Sequence, residues 1–411
     1  MRVRRLLLGV AAAAVVPLAV PAPAHAADND CAVVDATTPA TDTRRPSAPY
    51  ALLGMEAAQR AAGKAGDPVR VAVLSSGIAG NLPVETAVDR SEASGEVVDP
   101  QGTIVAGLVA GPPRSDGGAV GFAPDAELVD VRVFVDRTSD ESRERPSTPA
   151  LVDGLEWVAQ EAGRERIGVA VVPFVVGESP ELRAAVRAVR DAGVVLVAAS
   201  GDRPAKGAPS AAEFEDPPAR DEDGGPLFFP AGYDGVVAVN ATGTGDPGGA
   251  LASVVPNSRT MVAAPTYDAV SYGLNGATCL VRPTSTAAAA AEVAGVVALL
   301  RQRYPDDTVA QIVTRLVDSA DGTPDGRTAM TGAGVVQPAE ALTRLLAPTR
   351  DGAVERTVAQ ADSGAPAAAP EDPVDLLAGA RHDAVWWGLI GGGVLVLALL
   401  LRPVLARRSH R

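Results

Sequence analysis

Between residues 69 and 304 the chain alternates short apolar runs with amphipathic segments. The runs VRVAVL at 69–74 and IGVAVV at 167–172 are almost continuous in Val, Ile, Leu and Ala. Strands have such continuous apolar sequences when helices cover both faces of a parallel sheet. The segments 149–162 and 180–190 carry apolar residues at spacings of three and four, which is typical of helices. The sequence therefore predicts a three-layer α/β fold with a mostly parallel sheet. Further predicted elements are strands at 127–134, 194–198 and 234–240 and helices at 102–110 and 285–304.

The first 26 residues form a predicted signal peptide. Three of the first five residues are arginines, an apolar run follows, and the sequence AHA at 24–26 fits a signal-peptidase site. An uncleaved anchor helix is the alternative, but three prolines in this segment and the small residues at its end argue against it. We expect cleavage after Ala26 and export of the chain.

A second apolar segment lies near the other end of the chain, at 384–401. About 18 apolar residues are close to the lower limit for a membrane span. Trp386 and Trp387 stand where an interfacial aromatic belt is expected, and the tail 402–411 contains four arginines. Excess arginine favours the cytoplasmic side. We therefore expect a single-pass membrane protein with an extracytoplasmic N-terminal domain and a cytoplasmic tail.

The formal net charge is −14. The basic leader and tail lie outside the exported domain, so that domain is more acidic still. Nucleic acids attract Lys and Arg through their phosphates, so a nucleic-acid partner is not expected. We predict a signal peptide at 1–26, an N-terminal extension at 27–66 and an α/β domain at 67–346. A Pro- and Ala-rich stalk at 347–383 then leads to the span at 384–401 and the tail.

The chain contains two cysteines, Cys31 and Cys279. Outside the cytoplasm an even pair of cysteines favours a disulfide. Such a bond would tie the mature N-terminus to the segment six residues before Ser285. Lipidation of Cys31 is not expected, because the polar residues 28–30 precede it.

Several segments, in the same order along the chain, resemble the motifs of the subtilisin-like serine peptidases, also called subtilases or peptidase family S8. VAVLSSGI at 71–78 looks like the strand that ends in the catalytic Asp, and QGTIVAGLVAG at 101–111 looks like the helix headed by the catalytic His. VVLVAASGD at 194–202 is similar to the strand before the oxyanion-hole Asn, and PTSTAAA at 283–289 is similar to the nucleophile motif. Further matching segments are GFAPDAELVDVRVF at 121–134, FPAGYDGVVAVNAT at 229–242, VAAP at 262–265 and GAGVVQPAEAL at 332–342.

The layout also resembles one branch of this family, the mycosins of actinobacterial type VII secretion. The shared features are the signal peptide, the Cys-bearing extension, the Pro-rich stalk, the single C-terminal helix and the basic tail. This resemblance implies that the partner is a type VII secretion membrane complex. Extended peptides are a second class of ligand that the family's groove implies.

The positions that carry the family's chemistry are mostly replaced. Ser75 stands at the acid position and Gln101 at the His position. Asp202 stands at the oxyanion Asn position, and Pro283 replaces the Gly of the nucleophile motif. Only the nucleophile position, Ser285, keeps its residue.

Each replacement removes a function that the reaction needs. A serine hydroxyl is a weak nucleophile until a base near neutral pKa takes its proton. The three histidines are His25, His382 and His410, so none lies in 27–381. An ionised Asp202 would repel the oxyanion that an oxyanion hole must stabilise. We therefore predict a catalytically inactive scaffold or binding subunit, with no cofactor and no metal site.

A serine endopeptidase with a non-standard base, acting on secreted proteins, is the alternative. The sedolisins share this fold and carry an Asp in the oxyanion hole, but their Glu and Asp positions hold Gln101 and Val105 here. A Ser–Lys dyad would need Lys64 or Lys206, the only lysines in the chain. Without a base, we expect Ser285 to cap the helix that follows it.

Overall fold

The computed structural model describes residues 30–63, 68–80, 82–91, 95–204, 214, 221–243, 250–282, 284–322, 326–354 and 378–406. It divides into two compact units, residues 1–355 and 356–411. The predicted signal peptide, most of the predicted stalk, and Lys64, Lys206 and Pro283 lie outside the described residues.

A seven-stranded sheet forms the centre of the first unit, and every neighbouring pair of its strands is parallel. The strands are β1 (Arg70–Ser75), β2 (Val84–Asp89), β3 (Glu127–Arg132), β4 (Ile167–Val172), β5 (Val195–Ala199), β6 (Val237–Thr242) and β7 (Val262–Pro265). Their spatial order is β2-β3-β1-β4-β5-β6-β7. The predicted α/β fold is confirmed.

Helices cover both faces of this sheet and create two separate cores. Alternate residues of β1 face opposite ways: Val71 and Val73 belong to one core, whereas Ala72 and Leu74 belong to the other. The period of two in a strand is the cause of this division. The helices of the domain are α3 (Gln101–Ala110), α4 (Thr148–Glu161), α5 (Pro180–Asp191), α6 (Thr286–Arg303), α7 (Val309–Asp318) and α8 (Pro338–Thr343).

The N-terminal extension packs on a two-stranded antiparallel hairpin formed by β8 (Ala269–Tyr272) and β9 (Thr278–Val281). The predicted disulfide joins Cys31 to Cys279. Beside it, the backbone N–H of Cys31 donates to the carbonyl oxygen of Leu280 at 2.9 Å, and that of Thr43 donates to the carbonyl oxygen of Thr278 at 3.0 Å. The extension then forms two short helices, α1 (Ala48–Leu52) and α2 (Met55–Ala62).

The start of the predicted stalk is part of the first unit. The hydroxyl of Thr308 donates to the carbonyl oxygen of Arg350 at 2.8 Å, and the hydroxyl of Thr314 donates to that of Gly352 at 2.7 Å. The described chain therefore leaves this unit beside α7. The sequence did not predict these contacts, because amino-acid composition does not show which backbone groups form hydrogen bonds.

The described residues of the second unit form a long helix, α9 (Ala378–Ala406). Its segment Gly379–Leu400 is long and apolar enough to cross a membrane by length and composition. The helix begins six residues before the predicted span. Helical geometry continues there through Arg381, His382 and Asp383, which hydropathy alone had assigned to the stalk.

Candidate active site

Three of the four predicted site residues line one cavity of about 310 Å³. Gln101 is the first residue of α3, Asp202 follows β5, and Ser285 directly precedes α6. The carboxyl ends of parallel strands meet at one edge of a sheet, and ligand sites of α/β proteins form there. The fourth residue, Ser75, ends β1 and is fully buried in contact with Gln101.

Ser285 is the N-cap residue of α6. Its hydroxyl oxygen accepts from the backbone N–H of Ala287 at 3.2 Å, and its O–H donates to Oδ2 of Asp202 at 2.8 Å. Its own backbone N–H donates to the hydroxyl of Thr266 at 3.3 Å. Serine peptidases use the backbone N–H of the nucleophile to bind the oxyanion. Here both the hydroxyl and that N–H have other partners.

The carboxylate of Asp202 holds the first turn of α6. Its Oδ1 accepts from the backbone N–H and the hydroxyl of Thr286 at 2.6 and 2.8 Å, and its Oδ2 accepts from Ser285. A carboxylate at this place also interacts favourably with the helix dipole. Withdrawal from bulk water by the surrounding protein raises the pKa of Asp202, and the hydrogen bonds from Thr286 and Ser285 oppose that rise. The residue is nevertheless solvent-exposed where it lines the cavity, which limits this rise in pKa.

The side-chain amide of Gln101 is fixed at both ends. Its Nε2 donates to the carbonyl oxygen of Pro173 at 3.0 Å, and its Oε1 accepts from the hydroxyl of Ser75 at 3.3 Å. The two residues therefore keep the adjacency of an acid and a base. Neither an amide nor an aliphatic hydroxyl can take up a proton near neutral pH.

The segment after β4 begins with Pro173, which has no backbone N–H to donate. The structure gives this segment two further ties. The carbonyl oxygen of Pro173 accepts from Gln101, and Val176 exchanges backbone hydrogen bonds of 2.8 and 3.1 Å with Phe229. These groups are consequently occupied within the chain.

Sequence analysis missed two arginines that line the cavity. Arg137 forms two bonds of 2.8 and 3.1 Å to Asp99, whose side chain is only 2% exposed. Arg203 forms two bonds of 2.9 and 2.6 Å to Glu222. Both guanidinium groups are thus neutralised by carboxylates. The sequence signal for this pair was Asp99, because it lies two residues before Gln101. Its carboxylate also accepts a hydrogen bond from the backbone N–H of Gln101 at 2.9 Å.

The N-terminal extension forms one wall of the cavity, through Asp30, Cys31 and Ala32. The disulfide to Cys279 holds that wall close to Ser285, as the positions of the two cysteines predicted. Among the described residues, no group of three or more His, Cys, Asp or Glu side chains is placed to hold a metal ion.

Comparison with known proteins gives the relationship. The sequence profile of the subtilase family, peptidase S8, matches residues 60–334. M-protease of Shouchella clausii is 31% identical over 318 residues, which cover 74% of this chain and 71% of that protein. Mycosin-1 of Mycolicibacterium smegmatis is 28% identical over 342 residues, which cover 74% of this chain and 76% of that protein.

Solved structures agree with this relationship. The serine protease MycP1, described as an essential component of the type VII (ESX-1) secretion system, is 26% identical with a TM-score of 0.60. The match covers 77% of this chain and 95% of that one. With the parallel sheet, the profile match over most of the folded domain and these similarities, the chain belongs to the subtilase family of serine peptidases and is similar within it to the mycosins.

Proposed function

We propose that this protein is a membrane-anchored, extracytoplasmic subtilase homologue that does not cleave peptides and serves as a scaffold or binding subunit of a type VII secretion membrane complex. One observation carries the proposal. The hydroxyl of Ser285 donates a hydrogen bond to Asp202 and accepts one from the backbone N–H of Ala287 in the first turn of α6. It therefore acts as a helix cap.

The replaced catalytic groups contribute more to the rate of peptide cleavage than substrate binding alone can supply. Losing the base or the nucleophile of a serine peptidase costs roughly 10⁴–10⁶ in rate. Here Gln101 replaces the base, Ser75 replaces the acid, and Asp202 places a carboxyl where an oxyanion donor belongs. Removing one such donor costs a further factor of about 10²–10³.

The proposed partner follows from the mycosin similarity. MycP1 and the MycP3 protease, which is 27% identical with a TM-score of 0.58, are both described as belonging to type VII secretion systems. The apolar helix α9 supports a membrane anchor, and the disulfide supports an oxidising compartment. Extended peptides are a further class of ligand for the cavity beside Ser285.

Fluorophosphonate labelling of the purified full-length protein tests the absence of catalysis, with intact mass as the readout. We expect no adduct on the native chain and none on the Ser285→Ala variant. An adduct on the native chain that disappears in Ser285→Ala would overturn the proposal, because only an activated serine reacts.

The 2.8 Å contact between Ser285 and Asp202 favours one second candidate, a serine peptidase whose base is Asp202. A carboxylate with a raised pKa can accept a proton from a bound hydroxyl. This candidate predicts Ser285-dependent peptide cleavage that is lost in Asp202→Asn. Cleavage that persists in Ser285→Ala would exclude it and point to a contaminating protease.

A further inference from the structure

A second extended depression lies at the opposite edge of the sheet from the cavity beside Ser285. Three cavities of about 780, 590 and 410 Å³ adjoin one another there and share lining residues. Gly193, Gly235 and Met261, which precede β5, β6 and β7, form part of it. We call it the arginine groove, because it is lined by Arg183, Arg187, Arg190, Arg259, Arg327 and Arg350.

The ridge along α5 gives this groove its charge. Leu182, Ala185, Val186 and Val189 of this helix are buried, whereas Arg183, Arg187 and Arg190 face outward. These arginines are four and three residues apart, the spacings at which like charges repel on a helix surface. The fold therefore keeps a mutually repelling row of cations on a domain that is otherwise acidic.

The carboxylates in the groove do not neutralise all of these cations. Arg183 pairs with Glu178, Arg190 with Asp191 and Arg259 with Asp234, and the arginine side chains of these pairs are 43–54% exposed. Exposed pairs of this kind contribute little. Among the described residues, Arg187, Arg327 and Arg350 have no carboxylate partner. Asp223, Asp307 and Asp351 also line the groove.

The floor of the groove is partly apolar. Met261, Val309 and Val313 are half-buried and line the cavity beside α7, and Phe229 and Val186 line the one beside α5. A concave surface with an apolar floor and a cationic rim fits a narrow chain segment better than a planar lipid surface. The interspersed carboxylates also oppose nucleic acid, whose phosphates repeat regularly along each strand.

We propose that the arginine groove binds an acidic segment of a partner protein, in which Asp or Glu residues alternate with apolar ones. The carboxylates of that segment pair with the arginines, and its apolar side chains cover Met261, Val309 and Val313. The inference rests on the proposed function, since it names the surface by which the scaffold holds a partner. It leaves the cavity beside Ser285 free for a different ligand.

The test uses the full-length protein in nanodiscs of neutral lipid and a fluorescent peptide of alternating glutamate and leucine. A peptide with glutamine in place of glutamate is the control probe. We expect saturable binding of the glutamate peptide that weakens as salt is raised, because ion pairs at an exposed site are screened. Arg187→Glu should weaken binding about fivefold, and adding Arg350→Glu should weaken it about fivefold again.

Arg60→Glu is the matched control variant. Arg60 is an exposed arginine on helix α2, paired with Glu56, and lies outside the groove. It should bind the peptide as the native protein does. Equal loss in Arg60→Glu and Arg187→Glu, or equal binding of the glutamine peptide, would overturn the proposal.

Two further probes separate the other ligand classes. Vesicles of phosphatidylglycerol and a single-stranded oligonucleotide are each added as competitors of the glutamate peptide. Tighter binding of either competitor, lost in Arg187→Glu, would assign the groove to that ligand and overturn the peptide proposal. These readouts do not depend on catalysis, so a fluorophosphonate adduct on Ser285 would contradict the proposed absence of catalysis, whereas only the peptide measurements decide whether the groove binds an acidic segment.

Discussion

The side chain of Ser285 stabilises the first turn of α6 through two hydrogen bonds, one to Ala287 and one to Asp202. We expect Ser285→Ala to lower the free energy of unfolding by about 1–2 kcal/mol, because it removes a cap and leaves one oxygen of Asp202 without its donor. Urea unfolding at neutral pH measures the change.

Ser147→Ala is the matched control for this substitution. Ser147 caps α4 by a single long bond of 3.4 Å to the backbone N–H of Ala150, so its loss should cost less than that of Ser285. Residues kept for catalysis are often strained, and their removal then raises stability. An increase in stability for Ser285→Ala would therefore argue for a catalytic serine.

The adjacency of Ser75 and Gln101 predicts that three substitutions restore an activated serine. In the triple variant Ser75→Asp, Gln101→His, Asp202→Asn, the acid can orient the imidazole and the amide can donate to an oxyanion. We expect fluorophosphonate labelling of this variant at a slow but measurable rate. Gln101→His alone should remain unlabelled, since nothing orients its ring.

The same triple variant with Ser285→Ala added controls for labelling elsewhere. No adduct on the triple variant, with its fold shown intact by circular dichroism, would indicate that the bond from the Ser285 N–H to Thr266 also blocks the reaction. The proposed inactivity would then involve the backbone as well as three side chains.

Asp130 on β3 gives the protein a pH-dependent stability. Burial raises the pKa of Asp130 to about 6, although the N–H of Ile78 donates to its Oδ2 at 2.9 Å. The folded state therefore binds a proton more tightly than the unfolded state, whose Asp titrates near 3.8. The contribution of Asp130 to stability is therefore greatest below the unfolded pKa, falls as the pH rises to about 6, and is constant above it.

Asp130→Asn keeps an acceptor for Ile78 and removes this titration. The difference in unfolding free energy between variant and native protein should grow by about 2 kcal/mol in favour of the variant between pH 4 and pH 7. Burial also raises the pKa of Glu292, but that group is present in both proteins and cancels in the difference. A pH-independent difference would contradict the assignment to Asp130.

The sequence predicted those strands and helices that hydrophobic periodicity encodes. Strands β1, β3, β4 and β5 lie within one or two residues of their predicted bounds, because both of their faces are buried. Strand β2 was missed because it is half-exposed: its residues alternate between partly buried and exposed, with Glu85, Ala87 and Asp89 outward. The hairpin β8–β9 was missed because its strands have only four residues each.

The candidate site was predicted by position, through motifs at the ends of elements, but its bonds were not. No pattern in the sequence places the Gln101 amide against Pro173 or directs the Ser285 hydroxyl to Asp202. These contacts join residues 72 and 83 positions apart, and only the packing of the sheet brings them together.

The disulfide is the strongest tie of the N-terminal extension to the domain. Cys31 and Cys279 are separated by 248 positions, so the bond restricts a long loop in the unfolded chain. We expect Cys31→Ala with Cys279→Ala to lower the unfolding free energy by about 3–5 kcal/mol. The urea midpoint of this double variant, compared with the native oxidised protein, measures it.

The extension also contacts the domain through bonds other than the disulfide. Thr43 bonds to Thr278, and Arg45 pairs with Asp268 at 2.7 Å, so the segment has other ties to the hairpin and its base. A loss below about 1 kcal/mol in the double variant would mean that these contacts hold the extension without the bond.

The first unit has two depressions, which lie at opposite edges of one sheet. The cavity beside Ser285 lies at the carboxyl ends of the strands, and the arginine groove lies at their amino ends. A scaffold needs separate surfaces if it is to bind a peptide and hold a partner at the same time. The two proposals are therefore compatible within one domain.

The predicted topology is tested on intact cells stripped of their walls. We expect an external protease to digest the domain but leave a tag after Arg411 protected, because the arginines after α9 favour the cytoplasmic side. Detergent should expose the tag, which controls for its susceptibility. Replacing Arg407 and Arg408 by Glu should make part of the population accessible, since the charge bias that fixes orientation is weakened. A tag digested in intact native cells would reverse the assignment, and would place the acidic domain in the cytoplasm, where the Cys31–Cys279 bond is not expected to persist.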